Sequence, residues 1–465
     1  SPNAPFVRQE LYKFPLDYAE TNKNITFFEL EKYVCKVANY LETQNIKSKD
    51  IVLHSFKDEF LLIVTMLALA KIGACLVSIS KNTPKIQLDE IKEIINPKFL
   101  LSDENMNLYF QINKIIFTND LLFSLNDTYI KNIEKFDSDI IWQIVIGSGT
   151  TGKSKFFNVS HKLELERIKI SKQSINITEN DILLSLLELK YNSTKIRFLA
   201  GLYSGASYII LDREDKNLLD FCIKQKITIL YTTVFHVENI LKMVPTMVDN
   251  ILCFLRVLSI GASNISDELR KKIQTKLTSD LYIGYGTNDI GGITCTNPKS
   301  VFSISQTVGK VINGVEVQIV DENEKENLVG EIGYIRVKSP GMIDRYLNDE
   351  EATKKTLKDG WFYPGDLGKL TEDEELIYCG RSDQMMIMNG INIYPAQVEN
   401  IIISHEAVKD AVVFPIRHSI IQDIPICTVV LKENKQISKT ELMNYCLERL
   451  GFSSPKEIIF LDEIP

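Results

Sequence analysis

The sequence predicts an α/β protein in which a large N-terminal domain of helix-covered sheets carries a small β-barrel-like part, and a small α+β domain follows. Three observations predict it. Strand-like and amphipathic helical segments alternate along the first 300 or so residues, the pattern of mainly parallel sheets covered by helices. Beyond Val301 short strands joined by polar turns take over, the pattern of antiparallel pairing. After Arg381 the texture changes again. These shifts divide the chain into 1–380, with a β-rich subregion at 300–380, and 381–465.

From Thr26 the stretch TFFELEKYVCKVANYLETQ repeats apolar residues at helical spacing. Thr26 is its predicted N-cap, and Glu29 completes a capping box. DIVLHSF reads as a strand, and FLLIVTMLALAKIGACLVSIS as a buried helix, a glycine turn and a strand. KITILYTTVF, VENILKMV and LRVLSIGAS continue the alternation, whereas GVEVQIVDENEK, GEIGYIRVKS and EELIYCGR are the short strands of the β-rich part. The tail reads as strand, helix, two strands (DAVVFPI and PICTVVL), a helix (SKTELMNYCLERL) and a last strand, EIIFLD.

Composition narrows the function. A chain of 465 residues with 45% apolar content can bury a large core. Lys+Arg 53 against Asp+Glu 61 leaves a net charge of -8, so no global basic field points to nucleic acid as a partner. An anionic nucleotide needs a locally electropositive pocket instead. The eight cysteines include no C-x-x-C pair and no His at metal-ligand spacing, and read as reduced, mostly buried thiols. The opening SPNAPFVRQE lacks a charged region followed by an apolar one, and no apolar run is long enough for a membrane span. The expectation is a soluble cytoplasmic protein.

The first chemical signal is IGSGTTGKSK, in which residues 147–154 satisfy G-x-x-x-x-G-K-[ST], the P-loop pattern. A P-loop runs from a strand into a helix, but Lys155 is followed by FFNVSH, which favours a strand. The loop therefore reads as a strand-to-strand turn. Its glycines, hydroxyls and lysines still suit polyphosphate, because glycines expose backbone N–H groups and ammonium neutralises charge. A plain surface hairpin is the alternative. In GWFYPGDLG, Asp366 sits in a rigid turn where it can accept both hydroxyls of a ribose or serve only as an acidic turn residue. Arg381 and Asp383 in GRSD form a ligand pair or a surface ion pair. In YGTND, Tyr285 can stack on a purine, Gly286 allows close approach, and Asp289 can hold Mg²⁺; a polar turn at a strand end is the bland reading.

In this order and spacing, TFFELEKYVCKVANYL, LALAKIGACLVSIS, SGTTGKSK, LRVLSIGASNIS, YGTND, GEIGYIRVKSPGMIDRYL, GWFYPGDLG, GRSDQMMIMNGINIYPAQVE and SPKEIIFLDEIP resemble the adenylate-forming superfamily over nearly the whole chain. That superfamily comprises AMP-binding acyl- and aryl-CoA ligases, nonribosomal peptide adenylation domains and luciferases. The resemblance implies activation of a carboxylic acid by ATP and Mg²⁺ as acyl-AMP with release of pyrophosphate. Transfer to a thiol follows, either CoA or the phosphopantetheine of an acyl or peptidyl carrier protein. Ser148, Gly149, Thr150, Thr151, Gly152 and Lys155 fall on the loop for the β- and γ-phosphates, and Gly261, Ala262, Ser263, Tyr285 and Gly286 on the adenine site. Asp366 and Arg381 fall on the ribose. Asp289 stands where the family has a Glu that ligates Mg²⁺, and Asn288 replaces a Thr near the α-phosphate. Lys155, Asn288 and Asp289 are thus the expected catalytic residues. Ser154 replaces a Pro and Phe156 a Gly, so the loop is less preorganised than the consensus. In the family the C-terminal domain is mobile; its hinge maps to Asp383 and its thiol tunnel to Gly390. The family's catalytic Lys follows the segment matching LDEIP, whereas the sequence stops at Pro465. That lysine is expected on a segment outside these residues.

In the amino-acid-activating branch an aromatic-Asp pair holds the substrate ammonium. It aligns here with Tyr191 and Asn192, and Asn cannot supply the charge. An aryl or acyl acid is therefore favoured over an α-amino acid, with Tyr191, Asn192, His236, Gly284 and Gly291 as candidate substrate contacts. NGINIYPAQVE is also closer to the CoA ligases. Three rival readings are a stand-alone amino-acid adenylation enzyme loading a carrier protein, a P-loop phosphotransferase, and a catalytically silent homologue that binds nucleotide or carrier protein.

Overall fold

The structure, a computed structural model, describes residues 5–8, 24–106, 108, 110–126, 137–147, 154–211, 218–261, 265–388, 391–418 and 422–464. Helix Phe27–Thr43 begins at the predicted cap: the Thr26 side chain accepts from the Glu29 N–H, and the Glu29 carboxylate accepts from the Thr26 N–H. Helix Glu59–Ile72 is apolar on all sides and buried on all sides. It stops at Gly73, whose φ of +73° is the left-handed conformation that ends helices at little cost in glycine. Strand Cys75–Ser78 follows.

Three sheets organise the described residues. One has six strands in the order Asn113–Ile116, Phe99–Ser102, Ile51–Ser55, Cys75–Ser78, Ile141–Gly147 and Lys155–Ser160. Its pairs are parallel except the last, an antiparallel hairpin with Gly147 opposite Lys155. Lys155 opens the second strand of that hairpin, and helix His161–Ile175 starts only after it. The P-loop reading fails on this geometry, as the FFNVSH stretch predicted.

The second sheet has fifteen strands among the described residues. Ser207–Ile209, Ile182–Ser185, Ile229–Thr232, Val257–Ile260 and Leu281–Thr287 run parallel. From Leu281–Thr287 onward the sheet continues antiparallel through Gly291–Cys295, Thr307–Val311, Glu375–Arg381, Asp366–Leu370 and Gly333–Lys338. The β-rich part, expected from the short strands beyond Val301, is joined to the parallel strands by continuous hydrogen bonding. One strand makes the join: residues 281–283 pair in parallel with 258–260, and residues 284–287 pair antiparallel with 295–291.

Beyond Met386 a third sheet of five strands packs on helices Pro395–Ile403 and Lys439–Leu450. These residues build a core of their own around Met386, Val398, Ile402, Val413, Cys427, Leu442 and Ile458. All eight cysteines are free, and six are buried. Among the described residues no helix is long and apolar enough to cross a membrane.

Gly309, in the antiparallel half of the second sheet, has φ +99°, and a Cβ there would lie 2.0 Å from the Cys295 carbonyl carbon. Backbone on both sides of that contact is fixed by pairing. Gly309→Ala is expected to destabilise the protein by more than about 3 kcal/mol in urea melts; a melt within error of wild type would refute this packing.

Candidate active site

A cavity of about 850 Å³ opens at the carboxyl ends of the parallel strands of both large sheets. Ser78, Gly147, Tyr231, Ser259 and Gly261 line it at strand ends, where backbone groups and side chains leave the sheet and are free to meet a ligand. Gly284 to Asp289, on and just after the joining strand, form one wall.

Beside this wall, Asp366 and Arg381 are cross-strand partners in register, which places guanidinium beside carboxylate. Arg381 Nη1 donates to Asp366 Oδ1 at 3.0 Å and to the Pro364 carbonyl at 2.7 Å. Tyr285 Oη donates to the other oxygen, Oδ2, at 2.5 Å. Asp366 is only 4% exposed. Burial pushes its carboxyl above the usual range, opposed by the Tyr285 hydroxyl and the Arg381 charge. Burial and the Asp366 charge raise Tyr285 as well, so its hydroxyl keeps the proton it donates. The Cβ that Gly365 lacks would sit 3.0 Å from Arg381 Nη2, and its φ of +80° sets the turn.

Asp289 lies beyond the end of the joining strand. Its backbone carbonyl accepts from Arg167 Nη2 at 2.9 Å and from the Ile343 N–H at 3.0 Å. Arg167, 1% exposed, also donates Nε to the Gly341 carbonyl at 2.8 Å, locking two segments together. Tyr346 Oη donates to Asp289 Oδ1 at 2.7 Å, while Oδ2 makes no hydrogen bond to a described residue. Lys155 Nζ stands over the Tyr346 ring, 4.7 Å from its centroid. Thr287 Oγ1 is buried against the same wall without a hydrogen-bond partner among the described residues.

Of the residues expected from sequence, Lys155, Tyr191, Asn192, Gly261, Gly284, Tyr285, Gly286, Asn288, Asp289, Gly291 and Arg381 all line this one cavity. Asp366 is held against it through Tyr285 and Arg381. Asp383 follows in the turn Ser382–Gln384, its Oδ1 3.5 Å from Arg381 Nε. Ser148, Gly149, Thr150, Thr151, Gly152, Ala262, Ser263 and Gly390 lie outside the described residues. His236 is not part of the lining: it sits on the first turn of helix Val234–Met243, with Nδ1 2.8 Å from the Oγ1 of its N-cap, Thr233.

The sequence model of the AMP-binding enzyme family matches residues 2–347, and that of the AMP-binding enzyme C-terminal domain matches residues 397–465. This chain belongs to the AMP-binding enzyme family. Among relatives, the 2-succinylbenzoate–CoA ligase of Geobacillus sp. (strain WCH70) is 26% identical over 455 residues, covering 95% of this chain and 89% of its own length. ATP-bound MatB from Rhodopseudomonas palustris superposes with a TM-score of 0.85 at 21% identity, covering 100% of this chain and 93% of that one. The o-succinylbenzoate CoA synthetase MenE from Bacillus subtilis, in complex with ATP and magnesium ion, gives 0.85 at 23% identity, with 100% and 94% covered.

The floor of this AMP-binding enzyme's cavity holds residues the sequence reading missed. Lys195, 3% exposed, donates to Gln143 Oε1 at 2.5 Å and Ser78 Oγ at 3.2 Å. Gln143 passes its own N–H to Asn192 Oδ1 at 2.9 Å and faces Glu164 at 3.4 Å. Arg197 lies nearby, 4.8 Å from the centre of the Tyr231 ring. The available signal was two cations in helix Asn192–Ser204, whose neighbours Ile196, Phe198 and Leu199 are apolar and buried. A charged residue on the buried face of a helix is unusual and needs a partner or a ligand.

Burial pulls the Lys195 ammonium down to about 8, against the opposing Glu164 charge. Its folded pKa thus lies below the ordinary 10.5, and between these values the unfolded chain holds the extra proton. Stability should therefore rise with pH through that window, by about 1.4 kcal/mol per pH unit for this group. Urea melts across the window should find wild type gaining on Lys195→Met as pH rises; parallel pH curves would sink the assignment.

Proposed function

We propose that this enzyme joins a carboxylic acid to ATP as an acyl-adenylate and then passes the acyl group to the thiol of CoA. The observation that carries the reading is Asp366, a buried carboxylate held by Tyr285 and Arg381 beside a cavity that Lys155 and Asp289 also line. Buried carboxylate oxygens in fixed positions suit a vicinal diol, because they accept hydrogen bonds and reject an analogue lacking the hydroxyls. Tyr285 and Gly261 flank the base. In the first step a carboxylate oxygen of the acid attacks the α-phosphorus, the bond to pyrophosphate breaks, and acyl-AMP forms. In the second, a thiolate attacks the acyl carbon and AMP leaves.

The residues present fit Mg²⁺. Asp289 lines the cavity and keeps one oxygen on Tyr346, the other making no hydrogen bond to a described residue, and one or two carboxylates plus substrate phosphates is the usual way this ion is held. The ion supplies charge neutralisation at the phosphates. Lys155 adds a cation on the same side, and the loop 148–153 is proposed to add backbone N–H and hydroxyl donors. Asn288 and Thr287 face the same wall and can donate to the α-phosphate.

The acid is proposed to be an aryl or acyl carboxylic acid, since Asn192 is committed to Gln143 and offers no charge to an α-ammonium. CoA is preferred as acceptor because the relative named above is a CoA ligase; a carrier-protein phosphopantetheine presents the same thiol arm and is the alternative. The domain division at 380/381, a hinge at Asp383 and a thiol passage at Gly390 complete the proposal, supported by the separate core beyond Met386. Free thiols and the need for ATP support a cytoplasmic location.

Acid-dependent ATP–pyrophosphate exchange tests the reading, using the full gene product and a panel of acids. Exchange should require an acid, and Asp366→Ala should lower kcat/KM for ATP by about 10²-fold or more through loss of charge-assisted hydrogen bonds. ATP turnover that needs no acid would refute it. Separately, Asp289→Asn should raise the Mg²⁺ concentration for half-maximal exchange about tenfold; an unchanged titration would remove Asp289 from the metal site.

A further inference from the structure

Lys195 and Arg197 both line the cavity, and among the described residues neither makes an ion pair. Among the described residues Arg197 makes no ion pair, and none of its five N–H donors is spent on a hydrogen bond; its one close partner is the Tyr231 ring. The side chain is nevertheless built in. Gly261 makes room for it, because a Cβ there would lie 2.9 Å from Arg197 Nη2, and the Tyr231 face orients the guanidinium plane. Tyr231 itself is 3% exposed, lines the cavity, and its hydroxyl has no hydrogen-bond partner among the described residues. Lys195 uses two of its three N–H donors, on Gln143 and Ser78, and both acceptors are neutral. Among the described residues the one carboxylate in electrostatic reach of Lys195 is Glu164, which also faces Arg167.

The groups already accounted for do not use this charge. Adenine is neutral, the ribose site is held by Asp366, and the phosphates are placed beside Lys155 and Asp289. An uncompensated guanidinium beside an ammonium whose one facing carboxylate is shared with Arg167 is costly in a largely desolvated pocket until an anion joins them. A bidentate Arg–carboxylate pair with an added hydroxyl donor is the arrangement that best repays that desolvation.

We propose that the acid taken by this site carries a second carboxylate, remote from the one activated, and that Arg197 binds it together with Lys195 and the Tyr231 hydroxyl. The inference rests on the acid-activating reading above and narrows its substrate to acids with an anionic tail.

The test is ATP–pyrophosphate exchange by the full gene product on matched pairs: aliphatic and aryl dicarboxylic acids, each beside its mono-methyl ester. Wild type should prefer the best diacid over its half-ester by about 10²-fold in kcat/KM, the cost of leaving a desolvated cation unpaired. Arg197→Met should collapse that ratio towards one, mainly through KM for the diacid. Arg197→Lys should recover part of it, and Tyr231→Phe should lower it several-fold. Thermal melts of each variant report folding, and the wild-type preference stands as evidence independent of any variant. Exchange confined to neutral-tailed acids, or a ratio unchanged in a folded Arg197→Met protein, would overturn the second-carboxylate site and leave acid activation standing. Absence of exchange with every acid would overturn acid activation itself, and this inference with it.

Discussion

The strand Leu281–Thr287 is the constraint on which the rest depends, because its two halves obey opposite pairing rules. Residues 281–283 extend a parallel sheet that must be covered by helices, while 284–287 turn into an antiparallel hairpin. Such a strand needs backbone close to backbone. A Cβ at Gly286 would lie 2.2 Å from the Gly291 carbonyl oxygen, so the hairpin closes only on glycine. The change of pairing places Tyr285 within reach of Asp366, which arrives on a strand some eighty residues later, and sets Asp289 at the hairpin end where Arg167 clamps its carbonyl. Three separate stretches of chain meet there because one strand serves both halves of the sheet.

The carboxylates of Asp366 and Asp289 are handled in the same way. Each receives a tyrosine hydroxyl on one oxygen, Tyr285 on Asp366 and Tyr346 on Asp289. The hydroxyl fixes the carboxylate without neutralising it, which leaves the second oxygen for Arg381 in one case and for the cavity in the other. Around Lys195 and Arg197 the sign reverses, and among the described residues the Tyr231 hydroxyl there has no hydrogen-bond partner. One cavity thus runs from fixed anions, suited to hydroxyls and a metal, to fixed cations, suited to an anion.

The departures around the glycine loop have a packing account. Phe156, where the resembled family has a Gly, is 1% exposed and packs with Leu53 and Ile144, while Phe157 enters the larger core on the opposite face. The strand after the loop is therefore anchored on both faces. Leu347 donates to the Phe156 carbonyl at 2.7 Å, which draws Tyr346 against Lys155 and Asp289. Rigidity that a glycine-proline turn would place within the loop is placed in the strand that leaves it.

Much of the fold was legible because its signals are local. Capping at Thr26, the apolar helix ended by Gly73, the strand after Lys155 that rules out a P-loop, and the change of texture beyond Val301 are each written in a few adjacent residues. Asp366, Arg381, Tyr285 and Asp289 could also be picked out, because their motifs keep them beside the glycines that shape their turns. What the sequence alone could not fix was which side chains share a space. It could not show that hydrogen bonding continues one sheet through Leu281–Thr287 into the β-rich part, or that His236 pairs with its own helix cap, Thr233, outside the cavity lining. It left Lys195, Arg197, Gln143 and Tyr231 unremarked, because they lie on three separate elements and acquire meaning only when burial removes water from between them. Local order follows from backbone preferences within a turn or two of chain; the charge of a cavity depends on contacts across a hundred residues, and only the tertiary structure decides those.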